Sequence, residues 1–256
     1  MIAQAIRTRE KTVFQNIPAI TGLLLACTLL TANGVQAAPG LPAFSELSSL
    51  DAESGWEPLE FPKIEQHSRY QLLTEDGQQV VRSDTNGGAS GLIARMALDP
   101  GDSLSLRWRW KVSNVFEQGD AREKSGDDYP ARIYVAFEFQ PDKAGFFERA
   151  KRKAVEVLFG ETLPGNALNY IWANKLPAGE MVPNPYTDRT VMIATQSGSA
   201  QAGTWVTVER DIVADYRAAF GENPPPLVGI AIMSDSDNTG EQATAWYGDI
   251  TIEPGP

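Results

Sequence analysis

Carboxylates flanked by amides and aromatics are the side chains of this sequence best suited to chemistry. Ser234-Asp235-Ser236-Asp237-Asn238-Thr239-Gly240 follows directly on an apolar run, Leu227 to Met233. Asp235, Asp237 and Thr239 alternate and Gly240 permits a sharp bend, which imitates the first half of a calcium loop. Where such a loop would place its closing glutamate stands Trp246, so the segment is not an EF-hand. Calcium on Asp235, Asp237 and Thr239 would need oxygens from elsewhere in the fold, because a hard cation takes about six to eight. The alternative is a polar turn whose side chains bond their own backbone, with no cofactor.

A second group, Gly126-Asp127-Asp128-Tyr129-Pro130-Ala131-Arg132, opens another apolar run. Adjacent carboxylates repel unless something neutralises them, and a lone buried arginine is costly. An Asp128–Arg132 ion pair would answer both. In the catalytic alternative Asp127, Asp128 and Arg132 act on a glycoside, which requires a second carboxyl across the bond; Asp235, Asp237 and Asp249 are available. Asn169-Tyr170-Ile171-Trp172-Ala173-Asn174 and Asn184-Pro185-Tyr186-Thr187-Asp188-Arg189 mix aromatic rings with amides. Sugars have an apolar face and a hydroxyl rim, so Tyr170, Trp172, Asn174, Asn184, Tyr186, Asp235, Asp237 and Asn238 are the candidate ligand-binding residues. The same composition also suits the polar edge of a sandwich core.

Several chemistries are excluded. The one histidine, His67, has no Gly-x-Ser-x-Gly elbow to serve, and one His cannot build a His-rich zinc site. No glycine loop of the phosphate-cradling type is present. The N-terminus reads as a secretory signal peptide over residues 1–37: Arg7, Arg9 and Lys11, then an apolar stretch from Ile17 to Leu30, then Val35-Gln36-Ala37. That places the protein in the periplasm or outside the cell. Leu24-Leu25-Ala26-Cys27 loosely resembles a lipoprotein box, and membrane attachment is expected only if Cys27 is lipidated. Cleavage after Ala37 would remove Cys27, the one cysteine, and with it any disulfide. The chain carries 22 basic and 33 acidic residues, net −11; losing Arg7, Arg9, Lys11 and Glu10 with the leader takes it to −13. Such a surface repels a phosphate backbone, so nucleic acid is not an expected partner.

The elements that must position these groups are mostly strands. Residues 38–60 read as a loose lead-in, and 61–256 as one domain. From Ser103 to Val112, Leu104, Leu106, Trp108, Trp110 and Val112 alternate with Ser103, Ser105, Arg107, Arg109 and Lys111, the signature of a strand with one buried face. Leu92, Ala94, Met96 and Leu98 share the period, and Asp99-Pro100-Gly101-Asp102 predicts a hairpin between the two. Residues 131–139 and 227–233 read as central strands, and 190–195, 204–209 and 243–252 complete the set. Two short helices interrupt: 143–159, and 212–220 with Asp211 as cap and Gly221 as stop. The predicted fold is mainly β, a jelly-roll-like antiparallel β-sandwich.

Trp108-Arg109-Trp110-Lys111-Val112, Asp127-Asp128 with Ala131-Arg132-Ile133-Tyr134-Val135, Tyr170-Ile171-Trp172-Ala173, Asn184-Pro185-Tyr186-Thr187-Asp188-Arg189, Asp215-Tyr216 with Ala219-Phe220-Gly221, and Ile230 to Gly240 followed by Tyr247-Gly248-Asp249-Ile250 resemble, in order, the bacterial family catalogued as domain of unknown function 3047. The similarity runs from about residue 56 to 252. It implies an exported, sandwich-like protein and brings no activity with it. The Trp-rich strand and the closing aromatic-Gly-Asp-Ile run are more remotely similar to carbohydrate-binding jelly rolls, an analogy of fold. Three functions follow: binding of a carbohydrate or envelope polysaccharide, a glycoside hydrolase or polysaccharide lyase using paired carboxylates, or a structural or protein-interaction domain.

Overall fold

Alternation of apolar and polar side chains sets up strand after strand in the computed structural model, which describes residues 40–61, 64–143, 145 and 165–255. The predicted signal peptide with Cys27, and the predicted helix 143–159 apart from Lys143 and Gly145, lie outside the described residues. The strands are β1 (Glu57–Leu59), β2 (Arg69–Glu75), β3 (Gln78–Asn86), β4 (Ala89–Leu98), β5 (Leu104–Val112), β6 (Tyr129–Phe137) and β7 (Ala167–Ala173). They continue with β8 (Met181–Asn184), β9 (Thr187–Ser197), β10 (Val206–Asp211), β11 (Leu227–Asp235), β12 (Gln242–Tyr247) and β13 (Thr251–Pro254). One sheet runs β1-β4-β11-β6-β7-β9-β8; the other runs β10-β5-β12-β3-β2, with β13 also paired to β5. The α-helix among the described residues, α1 (Ile212–Phe220), follows β10.

The two sheets share one core. On β5, Leu104, Leu106, Trp108, Trp110 and Val112 point into it, as the alternation requires. They meet Ala131, Ile133, Val135 and Phe137 of β6 and Leu168, Tyr170 and Trp172 of β7. Trp108 packs on Tyr170 with ring centroids 5.2 Å apart, and Trp110 on Trp172 at 6.0 Å. The Trp110 indole N–H donates to Gln196 Oε1 at 2.6 Å, so its polar edge is satisfied in the core. Residues 40–60, read as a loose lead-in, instead contribute Phe44 and Trp56, both fully buried with rings 4.7 Å apart. Turn chemistry closes β2 onto β3, where Asp76 (φ 51°) and Gly77 (φ 78°) both occupy the left-handed region. Asp211 caps α1 through the amides of Val213 and Ala214, and Gly221 ends it at φ 74°.

The fold departs from the sequence reading in three further places. First, β4 and β5 are not a hairpin. β4 pairs with β1 and β11, whereas β5 pairs with β10, β12 and β13, so the Asp99–Asp102 turn passes between the sheets. Each strand has one apolar face, and two strands can bury such faces equally well side by side or across a core. Second, the seven-stranded sheet is mixed: β7 and β9 run parallel. The chain leaves β7, forms β8 at the sheet edge and returns as β9 between the two, which reverses direction twice. Third, Tyr170 and Trp172, expected to face a ligand, are 0% exposed in the inter-sheet core. β7 lies between β6 and β9 with every residue buried, so its aromatic side chains have no route to solvent.

Trp172→Ala is accordingly expected to destabilise the protein by about 3–5 kcal/mol, as for a fully buried tryptophan. Equilibrium denaturation reads this directly; a stability change below about 1 kcal/mol would contradict the core assignment.

Candidate functional site

The antiparallel pairing of β6 with β11 brings the two acidic segments together. Asp235, at the end of β11, faces Tyr129, at the start of β6, and Met233 faces Arg132, with the register shifting between them. Asp127 and Asp128 immediately precede β6 and Asp237 immediately follows β11, so segments more than 100 positions apart meet at one end of the strand pair. The inward side chains of β6 are Ala131, Ile133 and Val135, and Arg132 lies on the opposite face of the sheet.

Arg132 organises this end. It is 4% exposed, and its Nη2 donates to Asp235 Oδ2 while Nη1 stands 3.8 Å from Asp127 Oδ1. Its guanidinium carbon lies 5.3 Å from the Tyr129 ring centroid and 5.2 Å from that of Tyr134, so the cation is held against two aromatic rings. Burial works against the charge, but Asp235, then Tyr134 and Asp127, outweigh it and keep Arg132 protonated. Burial pushes the Asp235 carboxyl well above its ordinary range; Arg132 pulls it back, and Asp128, Asp127 and Asp237 push it up again. Asp127 is raised in the same way, chiefly by burial, with Arg132, the Asn184 amide and the Tyr129 hydroxyl opposing. Asp127 and Asp235 meet the guanidinium directly while Asp128 and Asp237 stand close by, and like charges at close range add to the upward shift of Asp127, Asp235 and Asp237.

The expected Asp128–Arg132 ion pair is not formed. Asp128 instead accepts from Asn238 N (3.0 Å), Asn238 Nδ2 (2.9 Å) and Thr239 N (2.6 Å), and so clamps the loop after β11. Three oriented N–H donors satisfy that carboxylate better than a cation already engaged by Asp235. Asn184, on β8, donates to Asp127 Oδ2 at 2.9 Å and accepts from Tyr186 N at 3.0 Å. The Tyr186 hydroxyl lies 2.9 Å from Asn238 Oδ1 and 3.0 Å from the Lys124 carbonyl, donating to one at a time. Its ring is 56% exposed, the large apolar side chain most open to solvent among the described residues. Thus Asp127, Asp128, Arg132, Asn184, Tyr186, Asp235, Asp237 and Asn238 converge, as the sequence reading required of a site. Asn174 and Asp249 do not join them: Asn174 donates to the Glu117 carbonyl at 3.2 Å, and Asp249 accepts from Ser45 N and Oγ at 2.8 and 2.7 Å. Sequence reasoning missed Tyr129, Tyr134 and Asn169; the signal for the first two was their place beside Arg132 on the same strand.

Carboxylate oxygens of Asp128, Asp235 and Asp237 lie within 4.8 Å of one another, a spacing that a divalent cation can bridge. The calcium set read from the sequence differs, since Thr239 Oγ1 accepts from Glu241 N at 3.4 Å and Asp128 takes its place in the group. Asp128 already accepts three N–H donors and Asp235 holds Arg132, which leaves Asp237 as the open member. Elsewhere, an open polar cleft of about 520 Å³ includes His67, Arg69, Asp84 and Thr244 on the other sheet. There His67 is bonded to the Ile64 carbonyl and to Glu60, and Asp84 to Arg82 and Thr244.

Asp237 titrates above the ordinary carboxylate range, first through burial and then through Asp128. A carboxyl with a raised folded-state pKa binds protons that the unfolded chain releases, so stability is lost as pH rises past about 3.9 toward the folded value. Asp237→Asn is therefore expected to raise Tm at neutral pH. The gain should shrink to nothing as pH falls to the unfolded-state value, and thermal melts from pH 3 to 8 measure it. An equal effect at every pH would show that Asp237 acts by packing alone.

Comparison with known proteins places this geometry in context. No curated protein matches the chain in sequence. Among solved structures, it is similar to a family 29 carbohydrate-binding module complexed with mannohexaose at 12% identity, TM-score 0.34, covering 84% of this chain and 92% of that one. The carbohydrate recognition domain of Emp47p gives 12% identity, TM-score 0.42 and coverage of 85% and 95%. TmCBM61 in complex with β-1,4-galactotriose gives 8%, 0.33, 83% and 99%. A family model, described as protein of unknown function DUF3047, matches residues 54–251, which take in every strand from β1 to β12 and the whole acidic site, and the chain belongs to that family.

Proposed function

We propose that the protein is an exported, jelly-roll-like β-sandwich that binds a carbohydrate or envelope polysaccharide at the acidic end of its seven-stranded sheet. One observation carries this reading: the exposed Tyr186 ring is anchored beside planar polar groups of Asp127, Asn184, Asp237 and Asn238 drawn from separate segments. An apolar ring face beside carboxylates and amides complements the apolar face and hydroxyl rim of a sugar. The Lys124 ammonium lies 5.3 Å from the ring centroid, and the rest of the ring stays open to solvent. Residues 1–37 support export, because basic, apolar and small-residue segments occur there in the order that a secretory leader requires.

Affinity electrophoresis through gels containing bacterial and plant polysaccharides tests the reading. Retardation is expected with at least one polymer. Tyr186→Ala should weaken it about tenfold or more. The same change should lower Tm only modestly, since the ring is exposed and only its hydroxyl contacts to Lys124 and Asn238 and the Lys124 ammonium contact are lost. Release of oligosaccharide in the same assay would make the protein an enzyme, with Asp127, held in its acid form to higher pH, as the proton donor.

A further inference from the structure

Buried polar atoms without partners are concentrated at one place in this protein. Of the seven such side-chain atoms among the described residues, four belong to the acidic site: Asp127 Oδ1, the Tyr129 hydroxyl, and Arg132 Nε and Nη1. A fifth, Asn169 Oδ1, lies on the neighbouring strand β7, where Asn169 faces Tyr134 in the register. Asp127, Tyr129, Arg132 and Asn169 are 6%, 2%, 4% and 0% exposed. Folded proteins leave few such groups, because each surrenders its hydrogen bonds to water and recovers none. A local concentration is what remains when the missing partner is not part of the chain.

The unpartnered atoms define what that partner offers. Arg132 and the Tyr129 hydroxyl present donors; Asp127 and Asn169 present acceptors. Arg132 Nη1 and Asp127 Oδ1 are 3.8 Å apart, too far to bond each other well but close enough for one hydroxyl oxygen to bond both. A hydroxyl accepts from the guanidinium and donates to the carboxylate, which neither a carboxylate nor an ammonium can do. The groups are also held in place. Arg132 is tied through Nη2 to Asp235 and flanked by the Tyr129 and Tyr134 rings, and Asn184 fixes the other oxygen of Asp127. Finally, four carboxylates already surround one guanidinium, so a ligand carboxylate or sulfate would add a fifth negative charge.

We infer that Asp127, Tyr129 and Arg132 form a slot, closed to solvent in the free protein, for a hydroxyl group of a neutral sugar, and that the protein selects neutral polysaccharides over uronates. This inference rests on the carbohydrate reading above and assigns the ligand class within it. Tyr129 is the informative residue. Its hydroxyl is within reach of the Asp127 carboxylate but completes no hydrogen bond of good geometry in the free protein. Removing it therefore takes away a poorly formed contact before ligand binds and a well-formed one afterwards, a trade of stability against function.

The test compares the unmodified protein with Tyr129→Phe, by thermal melting and by affinity electrophoresis. The polymers are neutral (galactomannan, galactan, xyloglucan) and acidic (polygalacturonate, alginate). Retardation is expected only in neutral gels. Tyr129→Phe should leave Tm unchanged or raised and weaken that retardation roughly three- to tenfold. Preferential retardation by the acidic polymers would overturn the inference, and so would a clearly lowered Tm for Tyr129→Phe, which would mean that the hydroxyl has a partner within the free protein. Neutral-polymer binding that Tyr186→Ala abolishes and Tyr129→Phe leaves intact would remove the slot and keep carbohydrate binding. Retardation by no polymer would remove both.

Discussion

A guanidinium buried on the outer face of a β-sheet is the constraint to which the acidic end of this molecule conforms. Left alone, Arg132 would cost several kcal/mol in lost hydration. Asp235 compensates it directly, and the rings of Tyr129 and Tyr134 cover it. Asp235 can do so only because β6 and β11 are antiparallel neighbours with their register shifted between Met233 and Asp235. The same pairing sets Asp127 and Asp128 beside the loop after β11, and Asp128 then clamps that loop by its backbone amides. The ion pair thus connects sheet register to loop conformation, and loop conformation to the placement of Asn238 and Tyr186.

The two outer faces of the sandwich treat charge differently. On the six-stranded sheet, Lys111 is 8% exposed, its ammonium 4.5 Å from the Trp246 ring centroid and 5.2 Å from that of Trp205, and it pairs with Glu75. Arg109 stacks over Trp205 at 4.5 Å and bonds Gln78, while Arg82 pairs with Asp84 beside Trp246. Those cations have aromatic and polar partners close by, so that face is settled. On the seven-stranded sheet the balance is uneven. Donors and acceptors of Asp127, Tyr129 and Arg132 stay unmatched, and Asp127, Asp235 and Asp237 all titrate upward because of burial and mutual repulsion. The unmatched polar atoms among the described residues are thus concentrated at the acidic end of the seven-stranded sheet.

Parts of the fold were legible because their periodicity is unambiguous. The alternation of β5 identifies its inward face residue by residue, and Asp211, Gly221 and Asp76-Gly77 announce a cap, a stop and a turn. β7 was not legible in this way. All seven of its residues are buried, so the sequence holds no polar rhythm to show which side chains face the core. Tyr170 and Trp172 then look like ligand-binding aromatics, although one donates to Asp215 within the core and the other packs on Trp110. Pairing between sheets was equally hidden, because β4 and β5 can satisfy their apolar faces as a hairpin or across the sandwich.

The sequence by itself determined the chemistry available: aspartates before β6 and after β11, an arginine inside a strand, and an Asn-Pro-Tyr turn, in a chain with one histidine and a net charge of −11. It also determined that most of the chain folds as strands, since apolar alternation is a local property. Only the tertiary structure decided which carboxylate meets Arg132. Local reasoning pairs it with Asp128, four residues away, whereas the fold pairs it with Asp235, 103 residues away. The reason is physical: side chains on a strand diverge from their sequence neighbours and converge on the strand alongside, and that neighbour is chosen by the packing of the whole core.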